Sequence, residues 1–160
     1  MRIWSTLKRL SIPQLFRLAS VALQKPLLIN PTLKATKSTM AICNTLYGTI
    51  HHGNGKENAF RHALWNILIC QNTYSSTKSE LKSVKWAKKI TDLHEKLAPN
   101  KPLEEAMDLH NNRKGREYFE ELKSSSEEEI IAFLSAKTEK AEKIMMLKEI
   151  ENKNELVYLS

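Results

Sequence analysis

The chain is poor in turn formers and in cysteine. Four glycines and five prolines in 160 residues leave little room for the many tight turns of an all-β protein. The two cysteines, Cys43 and Cys70, lie among apolar neighbours, which argues for buried thiols and against a disulfide framework. No CxxC pair occurs, which argues against a structural zinc knuckle. No apolar run approaches the length of a membrane span. The stretch from Met1 is interrupted by Lys8, Arg9, Pro13 and Arg17 and has no small-residue cleavage site, so a signal peptide is not expected. A cytoplasmic location is expected, with attachment to a membrane periphery as its variant. Acidic residues are missing altogether from residues 1–56, which hold eight basic ones. Residues 57–116 hold eleven basic and seven acidic residues, and residues 117–160 hold six and eleven. A basic front and an acidic tail either attract one another or leave the front for an anionic surface.

What is abundant is helix former: Leu, Lys and Glu are the commonest residues. Apolar positions repeat with helical period through residues 3–10 and 13–24. Asn30-Pro31 has the form of an N-cap followed by Pro at the first helical position. That helix is expected to turn Leu33, Met40, Ile42, Cys43, Leu46 and Tyr47 inward and to stop at Gly48. A loop, His51-His52-Gly53-Asn54-Gly55, leads into a helix over 58–71, and residues 72–79 form a polar linker. Helices over 80–97 and 103–122 follow, divided by Pro99-Asn100-Lys101-Pro102. Ser126 and Glu129 make a capping box for an acidic helix over 126–151. The prediction is one all-α domain over 1–160, a single compact bundle of six or seven helices. Its basic apolar N-terminal helices occupy 1–50 and its motif-bearing core about 52–116.

Two segments carry polar chemistry that helices ordinarily avoid. Asn58, His62 and Asn66 stand four residues apart, on one side of a helix. Asp108, Asn111, Asn112 and Gly115 stack similarly. Asn competes with the backbone for hydrogen bonds and is a poor helix former, so its concentration here points to a shared polar centre. His52, His62, His94 and Asp108 are candidate ligands of a divalent metal, zinc before others, since helical bundles build metal sites from inward His and carboxylate side chains. Glu95 is the candidate general base. Arg61 and Arg116 are candidates to stabilise developing negative charge. Asn58, Asn66, Asn111 and Asn112 would support the centre. The opposing interpretation needs no metal: Arg61 pairs with Asp108 or Glu95, and the asparagines satisfy buried groups in a network that fixes helix register.

The strings NAFRHALWN (58–66), a WAKK…HE segment ending at His94-Glu95, and MDLHNNRKGR (107–116) resemble those of a family of small bacterial domains of unknown function. Its motifs are (D/N)AFRHAxWN, HE and MDLxNNxxGR. The resemblance runs from about His52 to Arg116. It implies a helical fold and marks Arg61, His62, Trp65, Asn66, His94, Glu95, Asp108, Asn111, Asn112, Gly115 and Arg116 as shared positions. It implies no activity. The chain departs from the family where Asn58 replaces a frequent Asp, which removes one anionic ligand candidate.

The function expected is metal-dependent hydrolysis, of a phosphodiester or phospholipid. The alternative is a non-catalytic binding or interaction module. The expected partner is an anionic small molecule or lipid. Residues 1–25 combine Trp4, Leu7, Leu10, Leu15, Phe16 and Leu23 with five basic residues, which suits a membrane surface as well as the bundle's core. Nucleic acid is not expected, because the lysines at 78, 82, 85, 88, 89 and 96 lack interleaved aromatics.

Overall fold

The computed structural model describes residues 19–21, 23–97 and 100–160; the expected helix over 3–10 and most of the one expected over 13–24 lie outside the described residues. A helical turn reaches residue 24, and a 3-10 turn at Pro26–Leu28 runs straight into helix α1, Ile29–Tyr47. The cap position is therefore Leu28 rather than Asn30, and Pro31 sits in the first turn, where its missing N–H is not needed. Helix α1 buries Thr32, Ala35, Thr39, Ile42 and Cys43. Leu33 and Leu46, expected inside, face outward. The inner side carries threonines because two tryptophans need acceptors. Trp65 Nε1 donates to Thr36 Oγ1 at 2.9 Å, and Trp86 Nε1 donates to Thr32 Oγ1 at 2.8 Å. Gly48, at φ +58°, ends α1 in the left-handed region that glycine enters freely.

After a 3-10 turn at Ile50–His52, helix α2 spans Lys56–Thr77. It is the axis of the molecule. It packs most extensively against α4 and then against α1, α3 (Glu80–Leu97) and α5 (Glu127–Glu139). Surrounded in this way, it buries residues on nearly every side, Asn58, His62 and Asn66 among them. It also runs through the segment expected as a polar linker. Thr73 Oγ1 returns its proton to Ile69 O at 2.7 Å, so the hydroxyl is satisfied within the helix. Only Lys78, left-handed at φ 51°, and Ser79 separate α2 from α3.

Helix α4, Pro102–Leu122, lies against α2. Gly115 permits the approach: a Cβ there would stand 2.4 Å from the Ala63 carbonyl oxygen and 2.7 Å from its Cα. Ser126 and Glu129 cap α5 reciprocally, as the sequence predicts. That helix then stops at Glu139. A short strand β1 (Glu142–Lys143), a single turn α6 (Leu147–Ile150) and a strand β2 (Val157–Tyr158) replace the long terminal helix expected to 151. The two strands pair in parallel. Asn111 anchors β2: its side chain accepts from Val157 N–H at 2.9 Å and donates to Val157 O at 2.8 Å. Leu156 and Val157 are fully buried there. The architecture is an all-α bundle with this small β annex. Among the described residues no helix is long and apolar enough to cross a membrane.

Candidate metal centre

Three neighbouring helices each bring one buried polar side chain to a common point: His62 from α2, Glu95 from α3 and Asp108 from α4. One ligand-type atom from each lies within 4.8 Å of the other two. His62 Nε2 is 3.3 Å from Asp108 Oδ1, and His62 Nδ1 is 3.9 Å from Glu95 Oε1.

The hydrogen bonds fix the state of the imidazole. Asn66 Nδ2 donates to Asn112 Oδ1 at 2.7 Å, so that oxygen faces the histidine and accepts from Nδ1–H at 3.1 Å. Asn112 Nδ2 in turn donates to Glu95 Oε1 at 3.2 Å. The lone pair is thereby left on Nε2, where Arg61 Nη2 donates to it at 2.9 Å. Burial first, and the Arg61 charge second, hold the His62 pKa well below the usual imidazole range, so the ring is neutral. Asp108 Oδ1, which has no hydrogen-bond donor, faces the same lone pair. Two acceptors this close call for a proton or a cation between them. Burial pushes the Asp108 carboxyl up to about 7 against the opposing pull of Arg61, while Asn100 Nδ2 donates to Oδ2 at 3.3 Å. Burial, reinforced by Asp108, pushes Glu95 up to about 7 as well.

Arg61 is the resident cation, and it makes no carboxylate ion pair within 4 Å among the described residues. It donates to His51 O at 2.7 Å and to His62, and lies 3.4 Å from His52 Nδ1. Deeper in the bundle, Arg116 Nη1 donates to Asn66 Oδ1 at 2.9 Å and contacts Thr91 Oγ1 at 3.4 Å. Asn66 thus joins two layers: its amide N–H faces Asn112, and its carbonyl receives the buried Arg116.

Several expected members stand elsewhere. His94 is solvent-exposed and meets the Trp65 ring edge-on, with centroids 5.2 Å apart, so it is not one of the three converging donors. The inward stripe of α3 is Ser83, Ala87, Thr91 and Glu95, each four residues from the next. Glu95, expected as general base, therefore stands beside His62 and Asp108, where His94 was expected. His52 is exposed, and its neighbour His51 is the buried one, with Nε2 2.9 Å from Asn44 Oδ1. Asn58 reaches back to Gly53 O and closes the loop instead of joining the centre. Asn111 is committed to Val157, and His110 Nε2 bonds Glu155 O at 2.8 Å. Arg116 lies behind Asn66 as an internal brace. Cys43 and Cys70 are buried, with thiols pushed up to about 12 by that burial, which leaves them inert.

Fold and centre together define an all-α domain class with a buried His/Glu/Asp cluster shared by three helices. The chain belongs to the family described as "Domain of unknown function (DUF6973)", whose model matches residues 19–142. All three motif strings fall within that span. No curated protein and no solved structure matches the chain.

Proposed function

We propose that the domain is a metal-dependent hydrolase whose His62, Glu95 and Asp108 hold one divalent cation, with a phosphodiester or phospholipid as substrate. The observation that carries this proposal is the convergence of a neutral imidazole lone pair and two strained carboxyls from three helices. A cation there would relieve the facing acceptors at His62 Nε2 and Asp108 Oδ1 and return both carboxyls to their charged form. Asn112 acts as the outer partner that holds the imidazole tautomer, as metal-bound histidines require. One imidazole and two carboxylates suit zinc or manganese, and the bound ion would supply an activated water and screen phosphoryl charge. Arg61, already beside the centre, is suited to take the charge that develops on the phosphoryl oxygens.

Capture demands movement. Ligands of a tetrahedral zinc stand about 3.3 Å apart, given metal–ligand bonds of about 2.0 Å. The Glu95 oxygen must cross from the Nδ1 side, and Arg61 must release Nε2. This requirement favours a second reading in which Arg61 is itself the permanent counter-cation and the network only fixes helix register. Metal analysis and hydrolysis of a chromogenic phosphodiester test the choice. The expected result is one zinc or manganese per chain and activity abolished in both His62→Ala and Asp108→Asn. A protein that takes up no metal and cleaves no phosphodiester after loading would leave a non-catalytic binding or interaction module whose polar centre is a register-fixing network.

A further inference from the structure

Ser20, Val21 and residues 24–28, with helix α3 and the end of α2, line two adjoining grooves of about 630 and 710 Å³, which share Gln24 and Lys89. The first has Leu27 and Trp86 among its lining residues, with Lys25, Lys82, Lys85 and Lys89 around them. The second continues past Val21 and Leu93 to Lys96. Lys82, Lys85, Lys89 and Lys96 follow helical spacing and form one row, with Asp92 between the last two. Among the described residues none of these five lysines lies within ion-pair distance of a carboxylate. The nearby acids are already engaged, Asp92 by Lys88 and Glu80 by Lys123. Lys89 instead donates to Gln24 and ties the segment to α3.

Beside this row Leu27 and Leu81 project outward, and Leu23 does so from the helical turn that precedes the first groove. Leu23 is 81 % exposed, Leu27 82 % and Leu81 62 %. Leu81 lies four residues before Lys85, on the same side of α3. Folding gains nothing from leaving such side chains in water, and isolated exposed apolar residues need no explanation, but Leu27 and Leu81 beside five unpaired lysines do. We infer that this face docks on an anionic membrane surface, with the leucines entering the acyl boundary and the lysines meeting lipid phosphates. Lysine stems can cover apolar surface while their ammonium groups remain at headgroup level. Nucleic acid shares the charge but not the rest. It offers nothing to bury aliphatic side chains, and the exposed large hydrophobics described are all Leu, Ile or Met, without an aromatic ring for base stacking. The inference does not depend on a metal at His62, and it differs from the expectation placed on residues 1–25 by resting on α3.

Co-sedimentation of the full chain with vesicles tests it, comparing phosphatidylcholine alone with phosphatidylcholine containing phosphatidylglycerol, at low and high salt. Binding is expected only with the anionic lipid and should weaken with salt. Each lysine contributes about fivefold to affinity near such a surface, so K82E/K85E/K89E should lower binding by at least about a hundredfold. Leu27→Ser should lower it by about tenfold, the lower end of what burial of a leucine contributes. These side chains are exposed, and circular dichroism will establish that the variants keep their helices. His62→Ala should bind vesicles like the wild type, which separates this inference from the hydrolase reading. No sedimentation with anionic vesicles at low salt would overturn it. So would full binding by the triple variant, or RNA binding that is insensitive to Leu27→Ser.

Discussion

Replacing Glu95 by Gln should make the protein gain stability relative to wild type as pH rises, and a bound cation should reverse that order. Burial and the Asp108 charge raise the folded-state pKa of Glu95 from 4.5 to about 7. A carboxyl raised on folding adds stability that is fully present below its unfolded pKa and is lost as pH rises through the folded one. Between pH 5 and pH 8 the unfolded chain is already ionised at this residue, while the folded chain gives up its proton. At about 1.4 kcal/mol per pH unit over the part of the gap crossed, wild type should lose about 2 to 3 kcal/mol that the Gln variant retains. In a chain of this length that corresponds to roughly 5 to 10 °C in melting temperature. The buried histidines titrate in the opposite sense. Burial lowers the pKa of His51, His62 and His110, so their contribution is lost as pH falls. That contribution is common to both proteins and cancels in the difference. Urea melts of the two proteins at pH 5, 6, 7 and 8, in EDTA, give the comparison directly. With saturating zinc, wild type should become the more stable at pH 8, because the metal favours the ionised carboxylate. Parallel pH profiles for the two proteins in EDTA would refute the claim that Glu95 is buried against a like charge. An order unchanged by zinc would refute the claim that Glu95 is a ligand.

Other substitutions probe the scaffold. Gly115→Ala should destabilise by about 2 kcal/mol in urea, because the clash with the Ala63 backbone outweighs a helix-propensity gain of about 1 kcal/mol; a net stabilisation would show that α2 and α4 are not in backbone contact. Asn112→Ala should lower stability by about 3 kcal/mol, since it strands the Asn66 and His62 donors. The nitrogen chemical shifts of His62 should report loss of the Nδ1–H tautomer in that variant, and an unchanged tautomer would contradict the assigned network. Ser126→Ala should lower stability by about 1 kcal/mol through loss of the α5 cap, with no change expected in metal uptake.

Period and punctuation made most of the helices legible. The Gly48 stop and the Ser126 capping box are local chemistry, and each stands where the residues place it. Long-range pairing was not legible. The apolar spacing through Ile144 and Leu147 fits a continuing helix, but Ile144 is buried beside β1 and Leu147 is exposed. After Glu139 the chain pairs instead with β2, a strand that Asn111 holds through Val157. The same limit applies to the site. His62 and Asp108 declared themselves through polar stripes on α2 and α4. Glu95 stood out as a candidate general base, but its inward row was obscured, because that row is made of small residues at Ser83, Ala87 and Thr91 rather than the large apolar residues of α3. Only His51 of the His51-His52 pair is inside, and composition cannot choose between adjacent identical residues.

The Asn111–Val157 clasp also has a consequence for the order in which the protein is made. Forty-six residues separate the two partners. At about 5 to 20 residues per second, a ribosome needs roughly two to nine seconds to traverse them. Throughout that interval the Asn111 amide has no strand to grip, and Met107 lacks the Val157 side of the small cluster it forms with Ile144. The helices around His62 can assemble earlier, since α2, α3 and α4 are already synthesised. A nascent chain would thus possess its polar centre before its β annex, with one unsealed flank on α4 as the place where chaperone contact or premature proteolysis would begin.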